Sequence, residues 1–482
     1  MIRSPFSLPA VSFGLAGCFG LAGCFALAGY AAAQQAPGAA GPPSASATIE
    51  STKAASYTAK VDAIVSRFLE EPDAVGLSVG VLWKGEMLSK GYGLAEAEFE
   101  IAAQADTSFR IGSVTKQVTA ALVMRLVEQG KVALDAASTQ YVPEFATGDK
   151  TVTVRQLLNH TSGIPSYTDI GEDWQKVWPI ELTHEQLLDL VRERDFDFEP
   201  GESWRYNNTG YYLLGMLLEN VHGKPFAEVV ADLAQELGLG RTRYDSNREL
   251  IKNRAQGYDL VDGKLQNDLL IGMQQPGGAG GIISTGGDLV RWAQLLASGE
   301  VVSQESYAAM VKSTVLPNGR DTQYGFGLIP GEIDGQKSVG HGGGIFGFNS
   351  QLHWLPEQDF YVAVISNCGL SAESVAEELT YELLDLKRPE ERQKPLAKEL
   401  RAALVGSYSV PKAGMDIRVF EKGGKLWAKG SRAGQSEFGL LYQGDGEFCA
   451  SFDSKVRIVF ELDGSAFVLH QGGMEFPATR AK

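Results

Sequence analysis

The chain has 482 residues and a formal net charge of −16, with 44% hydrophobic and 21% charged residues. That length exceeds what one hydrophobic core fills, so roughly two or three domains are expected, and the near-average composition excludes a largely disordered or multi-span membrane chain. The acidic balance excludes a nucleic-acid partner, because binders of a phosphate backbone set Lys and Arg against it.

Residues 1–33 carry one charge, Arg3, then an apolar run over roughly 11–28, and end in Ala31-Ala32-Ala33. This is the layout of a secretory signal peptide, so a periplasmic or extracellular location is expected. The competing reading is an uncleaved anchor, against which the interspersed Gly, Ser and Pro argue. Leu15-Ala16-Gly17-Cys18 and Leu21-Ala22-Gly23-Cys24 both resemble the lipobox of bacterial lipoproteins, so a membrane tether through an acylated Cys18 or Cys24 stays open. Residues 34–53, rich in Ala, Pro, Gly and Ser, read as a flexible linker.

The folded part is expected from residue 54. The runs 77–82 and 87–92, separated by Lys84-Gly85, read as a strand hairpin. From Ser113 to Gln129 apolar residues recur at helical spacing and stop at Gly130, a C-terminal cap. Further helices are expected over 154–159, 184–194, 210–221, 289–296 and 375–386, and strands return at 349–355 and 360–367. Strands at both ends with helices between imply an α+β fold whose early and late strands pair in one sheet, with a helical subregion inserted. A charged, Pro-containing stretch over 387–399 marks the boundary of the 54–386 domain. Beyond it, short alternating strands with Gly423-Gly424, Asp445-Gly446 and Asp463-Gly464 turns predict a small antiparallel β domain over 400–482.

Cysteine and histidine narrow the chemistry. Cys368 and Cys449 are the only cysteines after the export segment and read as two buried thiols more readily than as a bridge. The six histidines show neither i,i+4 pairing nor Cys neighbours, so no metal and no cofactor is expected. Gly342 to Gly347 formally matches Gly-x-Gly-x-x-Gly, but it precedes a strand-like run, so the dinucleotide context is missing. His160 has no Gly-x-Ser-x-Gly elbow to serve and reads as structural.

Ser113 and Lys116 stand three residues apart at a helix start, so hydroxyl and amine can share one face. A Lys whose pKa is lowered by desolvation or nearby positive charge can take the serine proton, and the helix N-terminus offers N–H groups to an oxyanion. By spacing alone, Ser113 fits an N-cap better. Its surroundings decide otherwise. Phe109-Arg110-Ile111-Gly112-Ser113-Val114-Thr115-Lys116 is followed in order by four further motifs: 157–165, which contains Asn159-His160-Thr161-Ser162-Gly163; 200–211, which contains Tyr206-Asn207-Asn208; Gly280 to Thr285; and Gly340-His341-Gly342-Gly343-Gly344. In this order the chain resembles a serine hydrolase of the class C β-lactamase and penicillin-binding superfamily over about 54–386.

The resemblance implies Ser113, Lys116 and Tyr206 as catalytic and Asn208, His341, Gly343 and Gly344 as substrate-binding, with Gly344 supplying the second oxyanion N–H beside that of Ser113. A phenol near a cationic Lys favours its phenolate, so either Tyr206 or Lys116 can be the formal base. Asn208 fits a substrate carbonyl, or caps the helix that follows it. The last motif departs from the family's usual Lys-Thr-Gly: His341 is only partly charged at neutral pH, which weakens carboxylate recognition. The same variant occurs among family esterases and D-aminopeptidases. The expected activity is therefore acyl-enzyme hydrolysis of small esters, amides or cell-wall-like peptides, with a β-lactamase or a non-catalytic penicillin-binding sensor as the alternatives.

Overall fold

The computed structural model describes residues 56–388, 393–411, 414–431, 437–451, 453–471 and 474–481. The proposed signal peptide, the linker over 34–53, and Cys18 and Cys24 lie outside them. Among the described residues no helix is long and apolar enough to cross a membrane.

The hairpin forms as its sequence predicts, with β1 (Gly76–Trp83) and β2 (Glu86–Glu96) joined at Lys84-Gly85, where both residues adopt positive φ. β3 (Ile101–Ala102) adds to the edge of β2. Four late strands complete the sheet: β4 (Ile329–Ile333), β5 (Gln336–Ile345), β6 (Phe348–Leu355) and β7 (Phe360–Ser366). Their order is β3-β2-β1-β7-β6-β5-β4, antiparallel throughout, with Val79 opposite Val364 where the two chain halves meet. The sequence reading had strands returning only at 349; β4 and β5 precede that point. β5 escapes a period-2 pattern because five of its ten residues, over 340–344, are Gly or His.

Alternate residues of the central strands bury opposite faces, as the pleat requires. Leu77, Val79, Val81, Val362 and Val364 pack with α1 (Thr58–Phe68) and a helix at the other end of this region, Ala372–Leu384. Ala363 and Ile365 face the larger core, which holds α2 (Thr115–Glu128), α3 (Asn208–His222) and α4 (Gly286–Ser298). The serine motif thus lies between the sheet and the helical subregion.

The C-terminal strands close into an eight-stranded antiparallel barrel, from Gly406–Val410 to Met474–Arg480. The first and last strands, missed in the sequence, seal it by pairing Tyr408 with Arg480. Its interior is its own: Tyr408, Ile417, Val419, Phe448, Phe460 and Phe467 pack together, with Leu404 of the preceding helix over one end. Cys368 and Cys449 are both buried and are not joined by a disulfide.

Candidate active site

A short 3-10 turn, Gly112–Val114, carries Ser113, and α2 begins only at Thr115. Neither helix start has a side-chain cap, so Ser113 is not an N-cap. Its hydroxyl instead lies 3.1 Å from Lys116 Nζ. Lys116 is fully buried, and Nζ also donates to Asn208 Oδ1 at 2.8 Å and to the Ala279 carbonyl at 2.9 Å. Burial holds its pKa well below the ordinary lysine value. A neutral amine has two N–H groups and one lone pair, and this environment supplies two carbonyl acceptors and one hydroxyl. The lone pair is left facing Ser113.

The Tyr206 phenol interacts with the Ser113 hydroxyl, and its ring lies under Lys116 Nζ, 4.6 Å from Nζ to the centroid. Burial raises its pKa and outweighs the opposing effect of the serine hydrogen bond. This corrects the expected phenolate. Burial thus disfavours both a phenolate at Tyr206 and an ammonium at Lys116, an arrangement in which the phenol can donate and the amine accept a proton. Tyr211 presents a second ring at 5.5 Å from Nζ. Both ring faces are placed to stabilise an ammonium at Nζ.

Asn208 is the first residue of α3, and the cap is its neighbour: Asn207 Oδ1 accepts from Gly210 N at 2.6 Å. Relieved of capping, Asn208 spans the site, with Oδ1 on Lys116 and Nδ2 donating to Thr168 Oγ1 at 3.0 Å. Thr168 and the Ala279 carbonyl were not legible in the sequence, since nothing local marks either one as a partner of a residue so distant in the chain.

β5 brings the glycine motif against the serine turn. Gly343 pairs with Ser350, whose hydroxyl donates to Ile111 O at 2.8 Å. A Cβ at Gly343 would fall 2.1 Å from Ile111 O and 3.1 Å from Ser113 N, so only glycine permits this approach. Gly344 borders the open cleft together with Ser113, which suits a pair of oxyanion N–H donors.

His341 is a correction to the sequence reading. It is 4% exposed and does not line the cleft; Tyr324 OH lies 2.9 Å from Nε2 and the Gly342 carbonyl 2.5 Å from Nδ1. Nδ1–H donating to the carbonyl leaves Nε2 to accept from the phenol. Burial above all pushes the pKa down to about 3, so the imidazole is neutral and presents no cation to a carboxylate. Tyr324 is a further residue the sequence did not reveal.

The cleft beside Ser113 holds about 530 Å³. Trp174 and Phe346 stack along one wall at 6.3 Å, with Tyr167 against Trp174 at 5.8 Å. The charged side chains lining it are Asp259 and Asp268, with no Lys or Arg among the lining residues, and all of these residues precede the C-terminal barrel. Among the described residues no cluster of His, Cys, Asp and Glu could hold a metal ion.

Residues 61–387 match the Beta-lactamase family. The chain belongs to that family. Penicillin-binding protein 4* of Bacillus subtilis (strain 168) is 26% identical over 422 residues, covering 81% of this chain and 91% of its own. Esterase EstB of Burkholderia gladioli is 26% identical over 392 residues, covering 70% of this chain and 97% of its own. The octameric penicillin-binding protein homologue from Pyrococcus abyssi superposes with a TM-score of 0.61 at 25% identity, covering 87% of this chain and 99% of its own. Family membership and the fold thus agree with the resemblance read from the ordered motifs.

Proposed function

We propose that this β-lactamase-family chain is an exported serine hydrolase that cleaves small esters and amides through an acyl-enzyme. The observation that carries the reading is the buried Lys116 amine, with its lone pair on Ser113 Oγ and its two N–H groups spent on Asn208 and Ala279. Lys116 takes the proton as Ser113 Oγ attacks the carbonyl carbon. The N–H groups of Ser113 and Gly344 receive the oxyanion. Tyr206 donates its proton to the leaving group as the tetrahedral intermediate collapses to the acyl-enzyme, and the Lys116 ammonium returns a proton to Tyr206, so both groups are neutral again. Water then attacks the acyl carbonyl, one of its protons passing to Lys116 and on to Ser113 Oγ as the second tetrahedral intermediate collapses, so the acid is released and Ser113 restored. A purely binding module has no use for this proton path. Export rests on residues 1–33, and the intact mass of the secreted protein separates cleavage after Ala33 from acylation at Cys18 or Cys24.

The cleft favours acyl groups that are neutral or carry an amine. Its aromatic wall suits an apolar body, Asp259 and Asp268 repel a carboxylate, and the neutral His341 cannot bind one. The similarity to an esterase supports the ester arm. A parallel assay of p-nitrophenyl butyrate, D-alanine p-nitroanilide, N-acetyl-D-alanyl-D-alanine and nitrocefin tests this. The first two are expected to exceed the two carboxylate-bearing substrates by at least about tenfold in kcat/KM, the worth of one charge-assisted contact. A preference for nitrocefin or the acetylated dipeptide contradicts it.

A further inference from the structure

The segment Asn159-His160-Thr161-Ser162-Gly163 places no side chain among the residues lining the cleft, yet it is bonded rung by rung to the segment that carries Tyr206. The Gly201 N–H donates to Thr161 O at 2.8 Å and the Arg205 N–H to His160 O at 3.1 Å. One residue beyond Tyr206, the Asn207 N–H donates to His160 Nδ1 at 3.1 Å. Further along, the Asn207 amide donates to Ile164 O and the Asn208 N–H to Ser166 Oγ at 3.2 Å. His160 therefore holds the backbone on both sides of Tyr206, once through its carbonyl and once through its ring.

Its ring also walls the phenol. The centroids of His160 and Tyr206 are 4.5 Å apart, and Tyr324 and Tyr211 enclose the imidazole at 4.6 and 5.2 Å. To do this His160 adopts φ +63°, a left-handed conformation that a residue with a Cβ takes only when its surroundings enforce it. Accepting at Nδ1 fixes the neutral tautomer with hydrogen on Nε2, and Nε2 has no hydrogen-bond partner among the described residues. Burial above all keeps the ring unprotonated, so the Nδ1 acceptor persists.

We propose that His160 is the positioning residue for Tyr206, gripping the backbone on either side of it and walling its ring so that the phenol stays on Ser113. The inference rests on the reading of Tyr206 as the proton donor to the leaving group. The test is a double-mutant cycle of His160→Ala and Tyr206→Phe on D-alanine p-nitroanilide, with thermal unfolding recorded for each variant. His160→Ala is expected to lower kcat about 100-fold with KM changed less than about threefold, the scale of a misplaced catalytic group. In the Tyr206→Phe background the same change is expected to cost less than about threefold, since the group it positions is gone. Should His160→Ala not fold, His160→Asn replaces it in the cycle: Asn tolerates positive φ and keeps an acceptor, so its loss is expected to be smaller and again confined to the Tyr206 background. Equal losses in both backgrounds overturn the positioning role while leaving the proton-donor reading intact. A Tyr206→Phe variant with wild-type kcat overturns that reading, and the positioning role with it.

Discussion

Lys116→Met is expected to lower kcat on the order of 10⁴-fold or more, and adding Ser113→Ala to it is expected to lower kcat no further. The two residues act as a unit, because an unactivated serine hydroxyl is a poor nucleophile and a base without a nucleophile does nothing. Methionine fills the volume of the buried side chain, so the fold should persist, although Asn208 Oδ1 and the Ala279 carbonyl each lose a donor. Stability carries a separate signature. The native pKa of Lys116 lies below its unfolded value. Between those two values the unfolded chain binds a proton that the native protein does not, so stability rises with pH through this window. The thermal midpoint of the wild type relative to Lys116→Met is therefore expected to climb as pH is raised from neutrality toward 10. A flat difference would mean that Lys116 is charged in the folded protein, and the base would have to be sought elsewhere. On the acid side, kcat/KM should fall as Lys116 protonates.

Tyr206→Phe is expected to cost about 10³-fold in kcat on D-alanine p-nitroanilide, within the range of general acid–base catalysis, and much less on p-nitrophenyl butyrate. The difference follows from the leaving groups. A nitrophenolate departs unaided, whereas an amide nitrogen must be protonated before the C–N bond breaks. The ring stays in place beneath Lys116, so its support of the ammonium survives and KM should move little. Equal losses on both substrates would place Tyr206 in the activation of Ser113 rather than behind the leaving group.

Much of this was legible in the chain itself, and the misses share a cause. The pairing of early and late strands followed from where β-patterned runs sit, and β1 meets β7 as expected. β5 was hidden because a strand pressed against a catalytic turn is built of glycine, which erases the alternation that identifies strands. The terminal strands of the barrel were hidden because their pairing is made between distant ends, Tyr408 with Arg480. At the site, the family motifs supplied Ser113, Lys116, Tyr206 and Asn208, which the fold brings together, but not their charge states. Those depend on burial: the fold encloses Lys116 and His341 and lowers the pKa of both, a property that no spacing encodes. The choice between adjacent asparagines was equally out of reach, since Asn207 and Asn208 are both good caps by composition and only the entry angle of α3 decides that Asn207 takes the role. Tyr324 and Thr168 lie in stretches without periodic pattern and gain their meaning from partners elsewhere in the chain.

The central claim is that Ser113 Oγ is the atom that becomes acylated. Intact-mass spectrometry after incubation with a fluorophosphonate, followed by peptide mapping, reads it directly. The expected result is a single adduct per chain on the peptide containing Ser113, with no adduct on Ser113→Ala and strongly slowed labelling of Lys116→Met. An adduct on another residue, or labelling of Ser113→Ala at the wild-type rate, would contradict the account.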